Sequence, residues 1–551
     1  MGHRELPFIS LIFVAATTAC TQAYGQSSAS AAQVSQSRVE SAYQAAAKQG
    51  AAALRAFLMD FPKGADLHVH LTGAVYAETF IRDAGQDGIC VVPAKLSFAQ
   101  PPCTPDEVPA AQLSGNVTAA NQSLYDKLVD AFSMRSFVAS EGWSGHDQFF
   151  STFSHFSGLK ATHTAEWVDE VASRAAAQNN QYLELMETPV FSHAAQIAHQ
   201  IGWSMALAQA SPQAFAQFRQ QLLAQGLTQE VQPDRDEVSL AETGRKATEQ
   251  CGTAQAAPAC QVETRYIYQV LRANPPEQVF AQTLLGFETV HASLAAKDDT
   301  WVGINFVQPE DDYIAMRDYT LQMKMVAYLH SVYPDVPISL HAGELAYGMV
   351  PPEGLTFHIR QAVEIAGAQR IGHGVDVMYE NNPHQLLKEL ADKHVMIEIN
   401  LTSNDGILGV SGSAHPFPAY RAAKVPVALS TDDEGVSRID LTHEYVRAAL
   451  DYKLTYANLV QMARTGMEHS FLPGASLWAY QDHFEAPAKA CQQDTLGSPT
   501  PSAACKAFLD GSEKATAQWE LERRIVAFEA KSSASGHGGK GANSASQPAS
   551  Q

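Results

Sequence analysis

The chain has 551 residues, with 37 Lys and Arg against 58 Asp and Glu, and a formal net charge of −21 at pH 7. A nucleic-acid-binding protein needs a basic face for its phosphate contacts, so this balance argues against that class. Hydrophobic residues make up 46% of the chain, which is typical of a globular protein and excludes disorder over most of the length. The length fits either several domains of about 150 residues or one (β/α) barrel with insertions.

The N-terminus has the layout of a secretory signal peptide. Arg4 precedes an apolar run over 8–16, and small residues follow. The run is too short to span a bilayer, and no later stretch is apolar enough to do so. We predict a signal peptide over 1–25 and export to the periplasm or the medium. The alternative, a lipid anchor on Cys20, lacks the Leu-like residue that usually precedes such a cysteine.

The two ends of the remaining chain differ in composition from its middle. Residues 26–35 and 531–551 are rich in Ser, Ala, Gln and Gly, which predicts disordered tails. The working part is therefore a single domain over 36–530. It opens with helix-forming residues over 39–59, which predicts an N-terminal helical extension that ends before Pro62.

Apart from Cys20, the chain has six cysteines, and they fall into three close pairs within loop-like stretches. Six cysteines allow fifteen connectivities, but an exported protein meets an oxidising compartment, and local pairing is the most economical arrangement. The alternative is six unrelated thiols. The predicted disulfides are Cys90 with Cys103, Cys251 with Cys260, and Cys491 with Cys505.

Short β-type runs alternate with helical stretches along the domain, the pattern of a parallel α/β fold. We predict a TIM-like (β/α)8 barrel with helical insertions at about 85–165 and 195–295. An eighth strand is inferred from closure of the barrel. The seven visible strand candidates are 65–71, 182–188, 301–307, 336–342, 370–377, 394–401 and 425–431.

Polar residues gather at the carboxyl ends of these strands, where such a barrel places its active site. Each has a bland interpretation by itself: His341 could begin a helix, His373 could be a core histidine, and the Asp432–Asp433 pair could cap a helix. His68 and His70, two apart on the first strand, point to the same face. The coincidence favours a metal site, because three imidazoles and a carboxylate suit Zn²⁺.

These motifs are similar to those of the adenosine/AMP deaminase family in the metal-dependent amidohydrolase superfamily. The export signal and the FVQPED and NLTSN segments resemble most the secreted adenosine-deaminase-related growth-factor branch. Homodimerisation through the N-terminal helix, as in that branch, is left open. The matching segments are KGADLHVHLTGA (63–74), SLHAGE (339–344), RIGHG (370–374) and STDD (430–433).

The resemblance implies a role for each matching residue. One zinc ion per chain would be held by His68, His70, His341 and Asp432. Glu344 would protonate purine N1, His373 would orient and deprotonate the attacking water, and Asp432 would be catalytic as well as a ligand. The implied substrate-binding residues are Asp433 as a hydrogen-bond acceptor at N7, the backbone of Gly303 at N3, Thr72 and His70. The second and third strand candidates contain no Lys to bridge a second metal, which favours a single zinc.

Three departures from the family pattern concern substrate recognition. Thr72 replaces an Asp placed to bind the sugar, Asn305 replaces another Asp, and Glu434 replaces a Pro. The expected function is zinc-dependent hydrolysis of adenosine or 2′-deoxyadenosine to inosine or 2′-deoxyinosine and ammonia. The alternatives are deamination of another aminopurine, such as adenine or a modified adenosine, and a growth-factor-like binding protein without turnover. An amide or ester hydrolase on the same fold is disfavoured, since the HAGE acid suits a ring nitrogen.

Overall fold

A computed structural model describes residues 36–535, with the exception of 116 and 299. The predicted signal peptide, the linker over 26–35 and the chain from 536 onward lie outside the described residues. Among the described helices, none is both long and apolar enough to cross a bilayer.

Eight parallel strands form the centre of the molecule. They pair in two arcs of four, β1 with β2, β3 and β4, and β5 with β6, β7 and β8. Bridges between Ile304 and Ile338 and between Val69 and Asp432 join the arcs at both edges and close the barrel. The strands are β1 Gly64–His70, β2 Asn180–Glu187, β3 Glu263–Leu271, β4 Trp301–Val307, β5 Ser339–Ala342, β6 Arg370–His373, β7 Met396–Ile399 and β8 Val427–Leu429.

The barrel confirms the predicted fold class and all seven strand candidates. The eighth strand, unseen in the sequence, is β3. It lies inside the stretch assigned to the second insertion, together with the barrel helix Pro276–Ala296. That insertion therefore ends near residue 262 and not near 295. Consequently the HAGE, GHG and DD motifs lie at the carboxyl ends of β5, β6 and β8.

Helices cover the outside of the barrel, and most of them connect consecutive strands. The N-terminal extension is two helices, 36–48 and Ala51–Leu58, because the chain turns at Gly50 with φ of 101°. The final helix runs to Ser535, beyond the predicted boundary of the tail at 530. The principal connecting helices are Ala77–Asp87, Thr164–Ala177, Ser192–Ile201, Pro276–Ala296, Tyr313–Val332, His358–Glu364, Pro383–Asp392, Leu401–Leu408, Phe417–Ala422, Leu441–Asp451 and Tyr456–His469.

Two insertions and a C-terminal subdomain are added to the barrel. The first insertion holds a three-stranded antiparallel sheet and the helices Gln122–Ala131 and Gly145–His155; the second holds Pro212–Ala224 and Val231–Thr248. All three predicted cysteine pairs are disulfide-bonded. The disulfide between Cys491 and Cys505 lies in a small separate hydrophobic core that contains Trp478 and Trp519.

Candidate active site

Three imidazoles and one carboxylate converge where β1, β5 and β8 end. The Nε2 atom of His341 lies 3.1 Å from Nε2 of His68 and 3.2 Å from Nε2 of His70. Oδ1 of Asp432 lies 3.4 Å and 3.1 Å from the same two atoms. Tetrahedral ligands at 2.0–2.2 Å from a zinc ion stand about 3.3–3.6 Å apart, and these separations are close enough to that range to suit one zinc-sized ion.

His373 belongs to the same cluster but stands farther back. It joins His68, His341 and Asp432 in a group whose ligand atoms all lie within 4.8 Å of one another. Its closest approach to Asp432, however, is 4.0 Å, from Nε2 to Oδ2. His70 is much closer to the other ligand atoms, so His70 completes the set and His373 borders it.

The ring of His68 is held by a buried charge network. Its Nδ1 donates to Glu398 Oε2 at 2.6 Å, which leaves the Nε2 lone pair free for a metal. Glu398 Oε1 also forms an ion pair with Arg370, 2.7 Å from Nε, and accepts from Ser339 Oγ at 3.0 Å. None of the four side chains is more than about one-hundredth exposed. The network fixes both the tautomer and the orientation of His68.

The other two imidazoles are held in the same way by amide oxygens. Asn305 Oδ1 accepts the backbone N–H of His341 at 3.0 Å, so the atom facing this ring is the oxygen. It therefore also accepts from His341 Nδ1, at 2.8 Å. His70 Nδ1 is paired with Gln269 Oε1, and Gln269 in turn donates to Thr188. All three histidines thus turn Nε2 toward the centre of the cluster. Asn305, which replaces an Asp of the family pattern, still provides a hydrogen-bond acceptor for His341.

Glu344 lies in the pocket one residue beyond the turn after β5. Glu310 accepts the backbone N–H groups of Gly343 and Glu344 at 3.0 and 2.8 Å and so fixes this turn. Burial, together with the carboxylates of Asp432 and Glu310, raises the pKa of Glu344 well above its usual range. The surroundings of Glu344 therefore favour its protonated form.

His373 is fully buried, and burial lowers its pKa to about 3. Its Nδ1 lies 2.9 Å from the side-chain nitrogen of Asn404 and 3.7 Å from Glu344 Oε1. A neutral imidazole therefore faces the centre of the site. His341 is likewise kept neutral, since burial and the neighbouring imidazoles lower its pKa well below the usual range.

Asp433 reaches the pocket because Gly73 makes room for it. A Cβ atom at Gly73 would stand 1.4 Å from Asp433 Oδ1. That oxygen is buried and has no hydrogen-bond partner among the described residues. Burial and the adjacent Asp432 carboxylate raise the pKa of Asp433 well above its usual range.

Gly303 does not reach the pocket, so its assignment as a substrate contact is wrong. A Cβ at Gly303 would meet the Phe471 ring at 2.8 Å, in an apolar cluster inside the barrel. The residues of this segment that line the pocket are Val307, Gln308 and Pro309. Gly303 lies four residues before Val307, about 13 Å back along the strand. The motif was aligned to the correct strand but to the wrong end of it.

The cluster opens into a cavity of about 410 Å³, within the range of about 300–1,000 Å³ for small-molecule sites. Thr72 lies on its wall. The helix Gly145–His155 of the first insertion covers it with Phe149, Phe150 and Phe153, and we call it the lid helix. None of the sixteen lining residues is Lys or Arg. A larger surface groove, of about 820 Å³, lies beside the start of β8 and contains none of these residues.

The sequence model of the family described as adenosine deaminase matches residues 143–483, more than half of the chain. The chain belongs to the adenosine deaminase family. Similar proteins include the adenosine deaminases of Clostridium perfringens, 32% identical over 135 residues, and of Shewanella loihica, 35% identical over 136. Each alignment spans 24% of this chain and little more than a third of the relative, 37% and 38% of its length.

Among solved structures, the Arabidopsis protein ADAL complexed with IMP is similar, with a TM-score of 0.48 and 18% identity. The match covers 75% of this chain and 93% of that one. The adenosine deaminase family is zinc-dependent, and the donor set described above suits that metal.

Several residues around this adenosine deaminase-like site were missed by sequence reasoning. Glu398 had a usable signal, because it is a lone charge inside a buried apolar strand. Gln269 lies on the strand that was not recognised. The only sequence signal of the lid helix is its high content of phenylalanine, and nothing in its local sequence places it over the barrel. Asn404 and Glu310 lie in the matching segments, but their partners are distant in sequence.

Proposed function

We propose that this protein is a zinc-dependent adenosine deaminase that converts adenosine or 2′-deoxyadenosine into inosine or 2′-deoxyinosine and ammonia. One observation carries the proposal. A zinc-sized set of four ligand atoms lies beside a buried glutamic acid with a raised pKa, within one small-molecule pocket. Attack of water at C6 needs an activated nucleophile, an acid for the ring nitrogen, and a site that excludes bulk water.

His68, His70, His341 and Asp432 would hold one zinc ion. When bound, zinc supplies Lewis acidity that lowers the pKa of a water molecule to about 7. The chain's own contribution is the arrangement of the ligands. Each imidazole is turned with Nε2 inward by its outer partner, so little rotation of these side chains accompanies metal binding.

Glu344 acts as the acid and Asp433 as the purine anchor. The raised pKa of Glu344 favours its protonated form, and this proton is delivered to N1, which makes C6 more electrophilic. Purine N7 carries a lone pair and no proton, so Asp433 must donate there, which reverses the acceptor role expected from the sequence. The raised pKa of Asp433 and its unpartnered Oδ1 support a protonated donor. His373 orients the water from the opposite side of the cluster.

The pocket favours a nucleoside or a free base over a nucleotide. Its acidic lining residues are Glu344, Asp432 and Asp433, and no Lys or Arg lines it. A 5′-phosphate would therefore enter an acidic site without the Arg or Lys that normally pairs with it. The three phenylalanines of the lid helix suit the faces of an uncharged ring.

The test is ammonia release by the purified, zinc-loaded full chain. Adenosine, 2′-deoxyadenosine, adenine and AMP are compared at equal concentration, and zinc is measured on the same sample. We expect turnover of the two nucleosides, weak turnover of AMP, and about one zinc per chain. Preference for adenine would instead support the alternative function, deamination of another aminopurine. Tight nucleoside binding without ammonia would support the growth-factor-like alternative, and two zinc ions per chain would contradict the mononuclear site.

We also propose that the protein is exported. The three disulfides support this, because such bonds form and persist in oxidising compartments. Fractionation of expressing cells and the N-terminal mass of the recovered protein test the proposal. A cytoplasmic protein that retains residues 1–25 would contradict it.

A further inference from the structure

A buried row of hydrogen bonds runs from the protein backbone to the ring of His373. The backbone N–H of Phe417 lies 3.1 Å from His415 Nδ1. His415 Nε2 lies 2.9 Å from Asn404 Oδ1, and Asn404 Nδ2 lies 2.9 Å from His373 Nδ1. All three side chains are at most 2% exposed, so no bulk water competes for these bonds.

The direction of every bond in this row follows from its first member. A backbone N–H can only donate, so His415 Nδ1 must accept from Phe417. The proton of a neutral His415 is then on Nε2, which donates to Asn404. With its oxygen engaged there, Asn404 turns its amide N–H toward His373. The Nδ1 atom of His373 is therefore an acceptor.

The other arrangements place two donors against each other. If the amide of Asn404 were reversed, its N–H would face His415 Nε2, and His415 would need a proton on Nδ1, opposite the Phe417 N–H. Protonation of His415 on both nitrogens meets the same clash. It is also disfavoured because burial and the Arg447 charge lower the pKa of His415 to about 4.

We propose that Asn404 and His415 are positioning residues that keep His373 in the tautomer with its proton on Nε2. The part of this inference that concerns catalysis rests on the proposed deaminase function. In this tautomer the Nε2–H donates a hydrogen bond to the attacking water and has no lone pair for its proton. The O–H bond of the water then breaks toward Asp432, whose Oδ2 lies 4.0 Å from His373 Nε2. His373 orients the nucleophile and is not its base, contrary to the role implied by family resemblance.

Asn400 provides a matched control on the same helix end. Its side-chain nitrogen lies 3.5 Å from Nδ1 and 3.4 Å from Nε2 of His373, so it favours neither tautomer. Asn404→Asp, in contrast, replaces the N–H donor with an acceptor of the same shape. A carboxylate there draws the proton of His373 onto Nδ1, as Glu398 does for His68.

Neutron diffraction of the perdeuterated, zinc-loaded full chain shows directly which nitrogen carries the proton. We expect deuterium on Nε2 of His373 in the wild type and in Asn400→Ser, and on Nδ1 in Asn404→Asp. In steady-state assays Asn404→Asp should lower kcat at least tenfold and change KM less than threefold, because substrate binding does not use the tautomer. Zinc content and melting temperature, measured on every variant, separate this effect from misfolding.

Deuterium on Nδ1 of wild-type His373 would overturn the proposal, and this measurement needs no variant to fold. An Asn404→Asp protein that keeps deuterium on Nε2 would overturn the role of Asn404. An unchanged kcat after a demonstrated tautomer flip would overturn the catalytic part. If the wild type deaminates no aminopurine, the proposed function fails, while the diffraction result still decides the tautomer.

Discussion

Glu398→Gln is the substitution that tests most directly how the metal site is built. Glu398 lies on β7, fully buried, and its carboxylate accepts from His68 Nδ1 and Ser339 Oγ and forms an ion pair with Arg370. Glutamine keeps the shape but offers one oxygen and one N–H₂ group. The N–H₂ group must therefore face a donor, either the Nδ1 proton of His68 or the guanidinium of Arg370.

The structure allows the loss of stability or of zinc affinity to be estimated for each of these two orientations. Arg370 keeps its ion pair with Glu184, 2.6 Å from Nη1, but loses one of its two carboxylate partners in a buried site. Breaking a buried pair in this way typically costs about 3–5 kcal/mol of folding free energy. If His68 instead accepts the amide N–H at Nδ1, its Nε2 carries the proton and cannot bind metal. Loss of such an outer partner typically weakens metal binding about 10–100-fold.

The assay has two independent readouts. Guanidinium unfolding of the metal-free protein reports stability, and competition with a chromogenic chelator reports zinc affinity. The matched control is Glu522→Gln, since Glu522 makes a partly buried bidentate pair with Arg464, at 2.6 and 2.7 Å. We expect the control to lose stability and keep zinc affinity, and Glu398→Gln to lose both. Zinc affinity within twofold of wild type in Glu398→Gln would refute the reasoning that Glu398 sets the tautomer of His68.

Three further predictions follow from the pocket and the buried carboxyls. Glu344→Gln should keep its zinc and lose about 10²–10⁴-fold in kcat, because an amide cannot deliver the proton; an unchanged kcat would refute the acid role. Thr72 offers the sugar only a neutral hydroxyl, so kcat/KM for 5′-deoxyadenosine should be less than about tenfold below that for adenosine, a difference of about 1.4 kcal/mol. A loss near a thousandfold would reveal a charged sugar contact elsewhere. Burial, helped by Glu237, raises the pKa of Glu187 from 4.5 to about 8, so the folded state keeps a proton that the unfolded state has released between these values. The free energy of unfolding should therefore fall across this window by up to about 1.4 kcal/mol per pH unit relative to Glu187→Gln, and parallel pH profiles for the two proteins would show that Glu187 titrates normally.

Local features were accessible from the amino-acid sequence, for a physical reason. His68 and His70 share a face because side chains alternate along a strand, and β-strand ends in a parallel barrel meet at one rim whatever their order in the chain. The cysteines of each disulfide are 9 to 14 residues apart and could meet without knowledge of the fold. Seven strands were readable because they are short, apolar and bounded by turns.

The features that were missed depend on contacts between distant parts of the chain. His68 and Glu398 are 330 residues apart, and no local pattern pairs them. Strand β3 has polar and aromatic residues at positions that are buried only because the second insertion covers them, among them Tyr266 and Tyr268, which hydrogen-bond to Glu242 and Asp234. Gly303 was placed on the correct strand, but its distance from the pocket depends on where along the barrel axis the substrate enters. The lid helix lies over the pocket because Gly145 packs against Gly406, where an added Cβ would stand 1.8 Å from the Gly406 carbonyl oxygen. Such close packing is a property of two surfaces, and neither segment carries it in its own sequence.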